Sequence, residues 1–264
     1  MGECRRGGLN VAAGRVTAVR HGRSTHAVEV ALCADLDVPS IGVHARDIGQ
    51  PGMLISLGSL HDSSSLRFPF RVKARKLEEL VTRGWVRLAG HFDRDECAVL
   101  AKPKTLPWSQ MAPQVGVVTQ HGWFAQVPFG KAPPPVQALG SLVQTAVSAA
   151  LDHKLPDWNE VTWQRYEPGR GHIDPHRDQA YYKGLIVIVT LAGEAEFTIF
   201  QSRDPPVMLD RWTTRGGDMV LLRGADLGAP GVRCPLHGVG APASDRLTVT
   251  LRHNERGYGR WTPH

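Results

Sequence analysis

A histidine and an aspartate two residues apart present an imidazole and a carboxylate to the same side of an extended chain, because a strand repeats every two residues. Joined by a distant second histidine, such a pair makes a two-histidine, one-carboxylate face that holds Fe(II) and leaves positions open for oxygen and a cosubstrate. Three such pairs occur here: His91-Phe-Asp93, His172-Ile-Asp174 and His176-Arg-Asp178. In a chain with 12 histidines pairs this short arise by chance, so their surroundings must choose among them. Asp93 stands three residues before Glu96 and reads as a helix cap. His172-Ile-Asp174 follows Gly169 and Gly171 and runs into Pro175, which argues against a settled strand at that point. His176-Arg-Asp178 is therefore the pair retained, with a turn-capping role as its plainer alternative.

A second pattern lies downstream. Over 246–252, Arg246, Thr248, Thr250 and Arg252 fall on one face of a strand, and Leu247, Val249 and Leu251 on the other. If the arginine face turns inward it needs an anion, since a buried unpaired guanidinium is very costly. A dicarboxylate would supply two negative charges. The alternative is a strand whose arginines face solvent. His237, in Leu236-His-Gly-Val239, precedes Arg246 by nine residues; it fits a ligand, and also a core histidine satisfied by its neighbours.

The elements that must carry these residues are short and mostly extended. Helices are predicted over 93–100 and over 135–151, the second with Val136, Leu139, Val143, Val147 and Leu151 on one face and Pro133-Pro134-Pro135 at its start. Strands are predicted over 161–166, 184–191, 196–200, 207–209, 218–222 and 246–252, where β-branched and aromatic residues gather between Gly, Pro and Asp. Many short strands with helices mainly ahead of them point to a mainly β protein with supporting helices, a sandwich or jelly-roll barrel. Residues 1–80 have a different texture. A hairpin is expected at 15–20 and 26–32, with further apolar pieces at 41–43 and 53–57. The basic, aromatic stretch 66–76 reads as a strand edge rather than a phosphate contact.

Taken in order, Tyr166-Glu-Pro-Gly169, His176-Arg-Asp178, the apolar segment 185–191, Leu236-His237-Gly-Val239 and Arg246-Leu-Thr-Val-Thr-Leu-Arg252 form a series. This series resembles the AlkB-like family of Fe(II)- and 2-oxoglutarate-dependent dioxygenases, whose pattern runs N-x-Y-x-P-G, then H-x-D, a distal H, and R-x-N-L-T-x-R. The similarity extends upstream to about Gly84. The resemblance implies a double-stranded β-helix (jelly roll) over 82–255, preceded by a β-rich appendage at 1–80 and followed by a tail at 256–264. It implies His176, Asp178 and His237 as iron ligands, with 2-oxoglutarate and O2 as cosubstrates. Arg246 and Tyr166 would hold the distal carboxylate of 2-oxoglutarate, and Arg252 would lie near its oxo-acid end or the substrate. Gln164 and Thr248 stand where the family has asparagines; both keep hydrogen-bonding groups, so the cosubstrate site is retained with altered geometry.

The reaction so implied converts 2-oxoglutarate to succinate and CO2 and oxidises a C–H bond. The first substrate reading is an alkylated nucleobase in DNA or RNA, demethylated through an unstable hydroxymethyl adduct, with Trp123, Phe124, Gln179, Tyr181 and Tyr182 lining the mouth. Repair members carry acidic residues after the metal pair, whereas this chain has Gln179-Ala180-Tyr181-Tyr182. Hydroxylation of a small metabolite or natural product on the same scaffold is therefore the second reading, and a non-enzymatic jelly-roll binding module the third.

Composition limits the remaining possibilities. The 264 residues are 42% hydrophobic and 21% charged, enough for one large domain with an appendage and not the composition of a disordered chain. The longest uncharged apolar run, 184–193, is about half of what a membrane-spanning helix needs. No secretory or myristoylation pattern opens the sequence, so a soluble, cytoplasmic protein without a membrane partner is expected. The net charge of +6 permits contact with nucleic acid without establishing it. Cys4, Cys33, Cys97 and Cys234 have no CxxC spacing, which excludes zinc-ribbon and dithiol redox motifs.

Overall fold

Asp93 accepts hydrogen bonds from the backbone N–H groups of Asp95 and Glu96, and the Glu96 carboxylate accepts in return from the Asp93 N–H. This reciprocal box starts a helix over Arg94–Leu100, as its sequence predicts. The computed structural model describes residues 53–55, 70–72, 74–101 and 106–260. The hairpin expected at 15–20 and 26–32 and the apolar piece at 41–43 lie outside the described residues.

The chain divides into two compact units, Met1–Ala74 and Arg75–His264. In the first, β1 (Met53–Ile55) pairs antiparallel with β2 (Phe70–Val72). The second holds all but the first residue of α1 (Ala74–Thr82), then β3 (Trp85–Leu88) and α2 (Arg94–Leu100), followed by four short strands, β4 (Ser109–Gln110), β5 (Gln114–Val115), β6 (Val118–His121) and β7 (Trp123–Pro128). Next come α3 (Pro134–Leu151), β8 (Glu160–Tyr166), β9 (His172–His176), β10 (Tyr182–Ala192) and β11 (Glu194–Arg203). The last strands are β12 (Pro206–Arg215), β13 (Met219–Arg223), β14 (Leu236–Val239) and β15 (Arg246–Asn254). None of the described helices is long and apolar enough to cross a membrane.

The strands form a seven-stranded sheet in the order β3-β13-β10-β15-β8-β7-β4 and a six-stranded sheet in the order β12-β11-β14-β9-β6-β5. The larger sheet has two unlike faces. Val161, Trp163, Val249 and Leu251 are fully buried on the helix side. There the Trp163 indole N–H donates to the Leu100 carbonyl at 3.3 Å. Gly140 lets α3 settle on β15, because a Cβ there would stand 2.8 Å from Leu251 and 2.7 Å from Phe129. Burial of each such large apolar side chain is worth about 1.5–3 kcal/mol, so this helix-backed face is what fixes the strand. The register then decides the other face. Arg246 pairs with Tyr166, Thr248 with Gln164, Thr250 with Thr162 and Arg252 with Glu160, so eight polar side chains share the inner wall. The arginine face expected at 246–252 does turn inward.

β9 departs from expectation. It is a strand despite Pro175, and its ladder with β14 runs from Val239↔Ile173 to His237↔His176, two steps against three. The extra residue is a bulge at Asp174–Pro175, which spares proline a ladder N–H it cannot supply. Gly238 lies opposite, where a Cβ would approach the Ile173 carbonyl to 3.2 Å and the Pro175 nitrogen to 3.3 Å.

Candidate metal and anion site between the sheets

The bulge selects among the His-x-Asp pairs. Partners across a ladder share a face, so Ile173 and His176 both lie on the face of Val239 and His237. Ile173 packs inward against Met111 and Tyr166, which leaves its neighbours His172 and Asp174 on the outer side. There His172 pairs with His121 in register, Asp174 bonds Thr119, and His121 meets Glu167 at 3.1 Å. His91 packs edge-on against Phe92, and Asp93 is spent on its helix cap. Among the described residues, the donors that converge are those of His176, Asp178 and His237, all within 4.8 Å of one another.

His176 and His237 are cross-strand neighbours with ring centroids 4.3 Å apart. Each Nδ1 lies against a backbone carbonyl, that of Asp174 at 2.9 Å and that of Pro235 at 3.0 Å. A carbonyl only accepts, so both Nδ1 atoms carry a proton, and in the neutral form of each ring it is Nε2 whose lone pair faces a metal. Phe197 stacks on His237 at 5.6 Å and 11°, which fixes the plane of that ring. Burial, and then the proximity of His237, push the His176 pKa down to about 4. Burial alone would raise the Asp178 pKa, but Arg252 and the two histidines together bring it below the ordinary carboxylate range. Near neutral pH His176 is thus neutral and Asp178 anionic, the charge state a divalent cation requires.

Asp178 is not on the strand, contrary to the expectation that the pleat alone would align the pair. β9 ends at His176, and the next residues are held from outside. Arg177 donates to the Cys234 carbonyl at 2.5 Å, and Arg252 reaches Asp178 at 3.5 Å. Arg252 also lies 3.5 Å from Glu160, donates to the Thr162 hydroxyl at 3.2 Å and covers the Tyr182 ring at 4.5 Å. Glu160 is 1% exposed and accepts further hydrogen bonds from the Tyr182 hydroxyl and the Asn254 amide. Sequence reasoning missed Glu160. Its position opposite Arg252, at the start of β8, is a signal only once the register is known.

Arg246 is the opposite case. It is 2% exposed and donates to the hydroxyls of Thr190 at 3.3 Å and Thr214 at 3.2 Å, and its guanidinium lies over the Tyr166 ring at 5.3 Å. No described carboxylate pairs with it. Its Nε and the hydroxyls of Thr248 and Thr250, on the same inner face, have no hydrogen-bond partner among the described residues. Burying an unpaired ion costs several kcal/mol, whereas each hydrogen bond to it returns about 1.5–3 kcal/mol, so the two threonines do not balance the charge. Burial lowers the Arg246 pKa and raises that of Tyr166 to about 12, so Tyr166 stays a neutral O–H beside the cation. Cation, hydroxyl and orphaned polar atoms together fit a carboxylate. Gln164 and Thr248 occupy the same wall.

The expected aromatic mouth is not assembled as the sequence suggests. Phe124 pairs with Gln164 and packs inward beside Tyr166, but Trp123 pairs with Arg165 and so belongs to the opposite face of the sheet. Tyr181 and Tyr182 are buried, and a face of each ring is covered by an arginine, Arg256 at 4.6 Å and Arg252 at 4.5 Å. Gln179 is half-buried in the segment between Asp178 and β10, with its carbonyl accepting from the Tyr182 N–H.

No protein-family model and no curated protein matches the sequence. Solved structures do. A non-heme α-ketoglutarate-dependent carbocyclase, SnoK from nogalamycin biosynthesis, aligns with a TM-score of 0.51 at 12% identity, covering 73% of this chain and 92% of its own. A Pseudomonas putida prolyl-4-hydroxylase aligns with a TM-score of 0.47 at 18% identity, covering 69% and 98%. The structure of OsALKBH1 gives 0.47 at 17%, covering 64% and 97%. The fold is the double-stranded β-helix expected from the sequence, its two large antiparallel sheets accompanied by three α-helices among the described residues.

Proposed function

We propose that this chain is an Fe(II)- and 2-oxoglutarate-dependent oxygenase. The observation that carries the reading is the buried Arg246, without a carboxylate partner among the described residues, on the inner wall that Arg252 links to the metal-type cluster His176, Asp178 and His237. His176, Asp178 and His237 would hold Fe(II), which when bound couples O2 and 2-oxoglutarate to oxidation of a C–H bond, with succinate and CO2 as co-products. Arg246 and Tyr166 would orient the cosubstrate by its distal carboxylate, and the helix-backed face excludes water from behind it. The Asp174 and Pro235 carbonyls keep the imidazoles in the ligating tautomer. The test is O2-dependent succinate formation by the Fe(II)-loaded protein. Activity lost in His176→Ala and Arg246→Ala is the expected result, and equal turnover in Arg246→Ala would remove the reading.

For the substrate we favour an alkylated nucleobase, supported by the basic balance of the chain and the order of its motifs. The covered faces of Tyr181 and Tyr182 support the other reading, a small metabolite, because they withdraw two stacking surfaces. Stimulation of succinate release by methylated single-stranded DNA or RNA, and not by unmethylated strands, distinguishes the two.

A further inference from the structure

β9, β11 and β13 end, and β14 begins, at the end of the barrel that bears His176 and His237. Four arginines sit at these strand ends: Arg177, Arg203, Arg223 and Arg233. Three are anchored by backbone carbonyls. Arg203 donates from Nε to Pro175 at 2.8 Å, Arg177 to Cys234 at 2.5 Å and Arg223 to Val81 at 2.5 Å. Each anchor uses one N–H of a guanidinium that has five. Arg233 is exposed beside Cys234 and is held by no hydrogen bond among the described residues.

None of the four has a carboxylate within ion-pair distance among the described residues. On the flanks of the sheets the pattern is different: Arg83 reaches Asp210, Arg165 reaches Asp245, Arg211 reaches Glu196 and Arg215 reaches Glu194. Acids near the rim are engaged elsewhere, Asp226 and Glu255 by Lys183 and Asp178 by Arg252. Asp204 follows Arg203 but forms no ion pair with any of the four. Arg177 and Arg223 both reach the segment just before β14: Arg177 bonds the Cys234 carbonyl, and a Cβ on Gly84 would meet both Pro235, at 2.7 Å, and the Arg223 guanidinium, at 3.4 Å. Like charges gathered without counter-charges at one end of a barrel destabilise it slightly and favour an anion there.

We infer that Arg177, Arg203, Arg223 and Arg233 form a phosphate-binding rim that holds a phosphorylated substrate beside the metal ligands. This deepens the oxygenase reading and rests on it for the identity of the substrate, though not for the binding itself. The shared chemistry is the phosphate group, and it has two sources: the backbone of a nucleic-acid strand, or a small phosphorylated molecule. A strand would engage several arginines at once and would bind with a steep salt dependence.

The experiment uses the full-length protein and fluorescence anisotropy with a fluorescein-labelled single-stranded oligonucleotide, over a salt series. AMP and inorganic pyrophosphate serve as competitors. If a strand occupies the rim, the logarithm of affinity falls with the logarithm of salt with a slope of about −3 for four phosphate contacts. The triple variant Arg177→Ala, Arg203→Ala, Arg233→Ala then loses about 2 from that slope, and each change lowers affinity about ten-fold. Weak oligonucleotide binding with arginine-dependent competition by AMP or pyrophosphate also supports the rim and assigns it to a small phosphate. Arg233→Ala removes no bond of the fold, so it keeps the test decisive where Arg177→Ala or Arg223→Ala disturbs folding. If neither probe binds, or both bind equally to wild type and variants, the rim is not a phosphate site. Metal and 2-oxoglutarate titrations of Arg233→Ala should match wild type, because Arg233 holds neither the bulge nor the Asp178 segment, and this separates failure of the rim from failure of the oxygenase reading.

Discussion

The Arg252 guanidinium stands 3.5 Å from the Asp178 carboxylate, and the same group lies 3.5 Å from Glu160. One cation therefore ties a buried acid on β8 to a candidate metal ligand that no strand holds. Removing it strands Glu160 in the interior. Arg252→Leu should cost about 3 kcal/mol in urea denaturation, and Glu160→Gln in the same chain should restore most of the loss. Metal affinity should fall about ten-fold in the single variant, since an outer partner that orients a ligand is gone. Unchanged stability would mean that the pair contributes nothing net.

Metal loading should divide the histidines by face. Co(II), an oxygen-stable stand-in for Fe(II), should raise the melting temperature of wild type and of His172→Ala but not of His176→Ala or His237→Ala. At 100 times the dissociation constant the stabilisation is about 2.7 kcal/mol, which differential scanning calorimetry resolves. A response lost in His172→Ala and kept in His176→Ala would reverse the choice of pair.

Arg246 should behave unlike Arg252, because no acid among the described residues pairs with it. Arg246→Met is expected to leave the ligand-free protein as stable as wild type or more stable by about 1–2 kcal/mol, in line with replacing a buried charge by an apolar side chain. The same variant should lose 2-oxoglutarate binding in an anaerobic calorimetric titration. A destabilised variant that still binds 2-oxoglutarate would contradict the assignment.

The pH dependence follows from His176. Its folded pKa, about 4, lies below the ordinary 6.5, so between those values the unfolded chain binds the extra proton. Stability of the metal-free protein should therefore be fully present above pH 6.5 and decline as pH falls from 6.5 towards 4. His176→Gln should flatten that decline in melting temperatures measured at pH 7, 6 and 5.

Cys97 and Cys234 should be inert as thiols in the folded state. Both are buried, and desolvation pushes the Cys97 pKa up to about 11 and that of Cys234 higher still. Iodoacetamide at pH 8, followed by peptide mass spectrometry, should label these two positions only after denaturation.

Several features were legible in the sequence because they depend on local spacing. The Asp93–Glu96 box, the apolar stripe of α3 and the split faces of β15 each lie within one element, and each appears in the structure. Register between distant segments is not local. The bulge at Asp174–Pro175 decides that His176 faces inward and His172 outward, and it exists only in the pairing of β9 with β14. Trp123 and Phe124 are adjacent in sequence, yet their ladder with β8 sends them to opposite faces. Tyr181 and Tyr182 read as open aromatic surface until β15 and the residues after it lay Arg252 and Arg256 across their rings. The residue types and order alone determined which chemistry was on offer: two imidazoles, a carboxylate and inward arginines. Which of them meet was decided by tertiary packing, because burial of one sheet face against the helices fixes the side of every strand residue at once.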